Sequence, residues 1–84
     1  MEVVETDKCF ECIAVTPQDM EDAVRWVVEH HQYLLINGVA LDGFTAQHVI
    51  QIIDGLSESN KIKFCSMPLV QMVDITWKLF KKLS

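Results

Sequence analysis

Cys9-Phe10-Glu11-Cys12 is the grouping in this 84-residue chain that most resembles a chemical motif. Two thiolates separated by two residues can grip one edge of a tetrahedral zinc ion. A complete site needs two further ligands, and no second paired motif supplies them: Cys65, His30, His31 and His48 would have to be recruited one by one. A redox CxxC opens a helix, whose dipole lowers the pKa of the first thiol. Here Ile13-Ala14-Val15 follows instead, and the next helix begins later. Cys9 and Cys12 are therefore weak metal candidates, and neither a metal nor any other cofactor is expected. Three cysteines, an odd number, do not form a secreted disulfide framework.

His30 and His31 fall on the inner half of a predicted helix, but no nucleophile or carboxylate is placed by spacing to work with either. Gly38, Gly43 and Gly55 stand alone, far from the patterns that cradle phosphates. With no constellation for catalysis, the chain does not read as an enzyme.

The formal charge of −5 is divided unevenly. Residues 1–42 carry nine acids against Lys8 and Arg25, a balance of −7, whereas residues 43–84 carry three acids against five lysines, +2. An acidic chain argues against binding nucleic acid through its phosphates. A helix-turn-helix centred on Gly55 also fails: Gln51 stands where a small residue is wanted, and ten residues, 57–66, replace a turn of three or four. A DNA-binding regulator using the C-terminal lysines, and a nucleic-acid mimic using the acidic half, remain as alternatives. No apolar run is long enough to span a membrane, and acids occupy the N-terminus where a secretory signal carries basic residues. A soluble cytoplasmic protein with reduced thiols is expected.

The elements that would position these groups follow from periodicity. Thr16-Pro17-Gln18-Asp19 has the form of a capped helix start, with proline at the first helical position. Met20, Val24, Val27, His31 and Leu34 recur at helical spacing, which predicts a helix over 17–36. Asn37-Gly38 then reads as its C-terminal stop; the alternative is a hairpin turn between LLI and VAL, which would make the chain α+β. Thr45 is the expected cap of a second helix over 46–56. Lys61-Ile62-Lys63-Phe64-Cys65 alternates like a short edge strand or an extended link, and Ser66 precedes a third helix over 67–83. That last helix carries an apolar arc of roughly 220°, judged from the 3.6-residue period, and is expected to lie at the centre of the fold.

The predicted fold is thus a single mainly α domain, 1–84, with three principal helices, an extended or short-strand N-terminal segment and a mobile stretch at 1–8. Function is expected to rest on contact with another protein or with a second copy, a homodimer being one form. It would be a small regulator, inhibitor or adaptor of the kind that viruses and mobile elements encode. Trp and Tyr dominate binding hot spots, which makes Trp26, His30 and Tyr33, rimmed by Asp22 and Glu29, the candidate interaction stripe.

Overall fold

The protein is described by a computed structural model covering residues 1–83. Ser84 and the side chain of Leu83, which the sequence places on the apolar arc, lie outside the described part. The elements run β1 (Val4–Glu5), β2 (Phe10–Cys12), α1 (Pro17–His30), β3 (Leu34–Ile36), β4 (Val39–Leu41), α2 (Gly43–Gly55), α3 (Glu58–Cys65) and α4 (Leu69–Leu83). Among the described residues there are therefore four helices and a four-stranded mixed sheet. The fold is α+β, and the expected three-helix bundle does not form.

The sheet order is β1-β2-β3-β4. Helix α1 returns the chain so that β3 lies parallel to β2, pairing Phe10 with Leu34, Glu11 with Leu35 and Cys12 with Ile36. The outer pairs, β1 with β2 and β3 with β4, are antiparallel.

The start of α1 is as its sequence dictates. The Thr16 side chain accepts from the Asp19 amide, the Asp19 carboxylate accepts from the Thr16 amide, and Pro17 occupies the first turn. Its end is not. The helix stops at His30, and His31 adopts a left-handed backbone at φ 54°. The run Leu34-Leu35-Ile36, continued as helix in the sequence reading, instead pairs with β2 and buries Leu34 and Ile36 completely. Three apolar residues fit either period; strand partners 20 or more residues away decide between them. Asn37 and Gly38, at φ 52° and 83°, form the β3–β4 turn, so the hairpin alternative is the one realised. Both central residues of such a turn need positive φ, which Asn and Gly tolerate.

Further boundaries also move. Asp42 rather than Thr45 caps α2, its carboxylate accepting from the Thr45 amide at 2.7 Å, so the helix covers 43–55 instead of 46–56. Lys61–Cys65, expected as a short edge strand or an extended link, belongs instead to helix α3, opened by Ser57, which caps the Asn60 amide. Its alternation was a coincidence of two lysines, for Phe64 and Cys65 turn inward together as neighbours on a helix. Ser66 closes α3 by donating its hydroxyl to the Ile62 carbonyl and does not cap α4.

The centre of the fold is α1, which packs on α2, α3 and β3; α4 meets only α2 and α3 substantially. Ala23, Val24 and Val27 are fully buried, as are Met72 and Thr76 of α4. Thr76 satisfies its hydroxyl on the Met72 carbonyl at 2.7 Å. Much of the wide apolar arc of α4 stays open to solvent, with Val70, Trp77 and Leu79 exposed, so its expected central position is also corrected. Glu21 is buried where three helices meet. It receives Arg25 at 2.9 Å and Lys61 of α3 at 3.4 Å, and Arg25 continues to Asp54 of α2 at 2.6 Å. The Asp54 and Glu21 carboxylates hold the Arg25 guanidinium firmly protonated, its pKa raised.

Candidate functional site

The two cysteines of the CxxC sequence are held differently. Cys9 is half-buried at the turn into β2, its amide donating to the Thr6 hydroxyl at 3.2 Å. Cys12 is buried in β2, and burial, reinforced by the negative charge of Asp19, pushes its thiol pKa up. Burial likewise raises Cys65, with Glu21 adding to the effect. A raised pKa keeps these two sulfurs as poorly reactive thiols at neutral pH. Among the described residues, no three His, Cys, Asp or Glu side chains come together in a metal-binding group.

The predicted aromatic stripe is only partly assembled. Trp26 is half-buried, with the Phe10 ring against it at 5.1 Å and His30 stacked on it at 4.2 Å. The His30 ring nitrogen Nδ1 lies 2.9 Å from the Trp26 carbonyl. Tyr33 falls beyond the end of α1 and is 65% exposed, so it does not continue the helical stripe. Asp22 accepts from the Gln18 side-chain Nε2 at 2.9 Å, and Glu29 is exposed. Trp26 and His30 are thus brought together, and Tyr33 is not stacked with them.

A second aromatic group was not foreseen. Phe44 and His48 of α2 meet Trp77 and Phe80 of α4, with His48 between the other three rings at 4.6–4.9 Å. Phe44 and Trp77 stack at 5.8 Å while remaining 67% and 36% exposed. The i,i+4 spacing of Phe44 and His48 was a readable signal; the pairing of α2 with α4 was not.

The largest anomaly is the sheet itself. Side chains alternate across a strand, and Cys12, Leu34, Ile36 and Leu41 face the helices. The residues between them point away. The register aligns Val4 with Glu11, Glu11 with Leu35, and Leu35 with Ala40 in one row across all four strands. Val4 is 51% exposed, Ile13 just beyond β2 is 68% exposed, and Ala40 is exposed. Glu2, Val4, Glu11, Cys12, Ile13, Leu35 and Gly38 line an open depression of about 470 Å³ to which no helix contributes. No protein family, curated protein or solved structure matches the chain. The reading of this face therefore rests on its own chemistry.

Its electrostatics are one-sided. The ion pairs among the described residues involve Asp19, Glu21, Asp54, Glu58 and Asp74, and none uses Glu2, Glu5 or Glu11. Glu11 stands within the row, between Val4 and Leu35, and Glu2 also lines the depression, so the face mixes aliphatic side chains with carboxylates outside those ion pairs. Its lining joins aliphatic side chains to two carboxylates and to the Cys12 thiol, whose pKa burial raises. Sequence reasoning missed this face because Val4, Ile13 and Leu35 look like core residues until the strands are paired.

Proposed function

We propose that this chain is a small interaction protein, a regulator or adaptor that works by protein–protein contact rather than by catalysis, with the open sheet face as its docking surface. The observation that carries this reading is that the row Val4, Glu11, Leu35 and Ala40, extended by Ile13 and aliphatic but for Glu11, is left without a covering layer in a sheet containing a parallel pair. Parallel strands are ordinarily covered on both faces, because crossover helices and apolar side chains accompany them. Contiguous exposed apolar surface marks sites of association. No helix of the described residues is long and apolar enough to cross a membrane. Three free cysteines, two of them buried, fit a reducing intracellular compartment, which belongs to the same proposal.

Site-specific photo-crosslinking in cells tests it. A photoreactive residue at position 13 is expected to form protein adducts, whereas the same residue in place of exposed Ser59 on α3 forms none. Failure to form adducts at position 13 removes the reading.

A further inference from the structure

We infer that the occupant of the open sheet face is a single amphipathic helix of a partner protein, presenting lysine or arginine beside its apolar stripe. This rests on the interaction reading and names the chemistry of the partner. Size is the first argument. Four strands about 4.8 Å apart make a face about 15 Å across, and strands of two or three residues make it about 10 Å deep. A helix with its side chains is about 10–12 Å in diameter. One helix of roughly three turns covers this area, while a stable dimer interface commonly takes about 800 Å² from each partner. The face is several-fold smaller than that.

Charge is the second argument, and it is independent of the first. Glu2 and Glu11 line the depression. Pairing the face with its own copy would bring these carboxylates together, and like charges placed across an interface are destabilising. A helix carrying cations meets Glu2 and Glu11 while its apolar residues enter between Ile13 and Leu35. Helix-in-groove recognition works in this manner, with apolar anchors supplying contact and charges selecting the partner.

The test uses the full chain, isotopically labelled, and three synthetic 14-residue helical peptides. The first has a leucine stripe flanked by lysines, the second has glutamates in place of the lysines, and the third has serines in place of the leucines. The expected result is that the first peptide shifts the amide signals of Val4, Glu11, Ile13 and Leu35. The second should bind about five- to tenfold more weakly, as two exposed ion pairs predict, and the third should not bind. The doubly substituted chain Glu2→Gln/Glu11→Gln should bind the first peptide about five- to tenfold more weakly, with its fold unchanged by circular dichroism.

Equal binding of the lysine and glutamate peptides overturns the charge assignment. Shifts centred on Phe44 and Trp77, or on the free edge of β4, overturn the location. Sedimentation equilibrium showing a dimer disrupted by Leu35→Glu overturns the choice of a foreign helix. If the peptides fail while position 13 still yields protein adducts in cells, the partner is of another kind and the interaction reading stands. If both fail, that reading falls as well.

Discussion

Leu34, Leu35 and Ile36 are neighbours of similar composition with different fates. The first and third are fully buried against the helices; the middle one stands on the open face beside Ile13 and Val4. The same contrast separates Leu41 from Ala40 and Cys12 from Ile13. Both faces of the sheet carry aliphatic side chains, so hydrophobicity alone does not say which is the core. The distinction is made by α1, whose crossover covers one face and leaves the other bare. Stability should therefore reside on the inner face and recognition on the outer.

The sharpest way to break this contrast is to shorten side chains on the inner face. Ile36→Ala leaves a cavity beneath α1 and should cost about 2–5 kcal/mol in urea denaturation, as large-to-small core substitutions do. A loss below 1 kcal/mol would mean that the inner face is not the core. Asn37→Ala should come next, at about 1–2 kcal/mol. The Asn37 side chain accepts from the Ala14 amide at 2.8 Å and donates to the Ala14 carbonyl at 3.1 Å, tying the end of β2 to the hairpin, and its backbone holds positive φ.

Thr16→Ala removes the cap of the covering helix and should cost about 1 kcal/mol. The same cap makes a pH prediction. The Val15 amide, then the Thr16 amide, hold the Asp19 carboxyl pKa below its ordinary value. The resulting stabilisation is present above the ordinary carboxylate pKa and is lost as pH falls through the lowered value. Asp19→Ala should abolish that part of the acid-side loss in melts recorded across the acidic range.

The smallest effect on stability is expected on the outer face. Leu35→Ser should change stability by less than about 1 kcal/mol while lowering capture of the lysine-bearing peptide, read from amide shifts. A thiol titration refines the division further. Cys9 should react first with Ellman's reagent, and Cys12 and Cys65 more slowly, because burial both shields them and disfavours their thiolates.

Local chemistry was the most legible part of this chain. The Thr16–Asp19 cap, with Pro17 behind it, is readable because every partner lies within four residues. The breadth of the apolar arc on α4 is not a measure of centrality. Leu69, Met72 and Thr76 are buried, but Val70 and Trp77 face solvent, so the arc exceeds what α2 and α3 can cover. Of the residues proposed for recognition, Trp26 and His30 do stack, yet Phe10 packs on Trp26 through a strand that sequence alone left undefined. Tyr33 would share that stripe only on a helix running past His30, and α1 ends there.

Asn37 and Gly38 show where the division lies. Their side chains permit positive φ whether the segment before them is helix or strand, so the sequence determined that the chain would turn there. What it turned from was decided by β2, which buries Leu34 and Ile36 by pairing across more than 20 residues. Composition likewise determined an acidic N-terminal half with surplus apolar residues. Only the assembled sheet decided which of those residues meet solvent, because the period of a strand sorts its side chains to two faces and the placement of α1 chooses one of them to be covered.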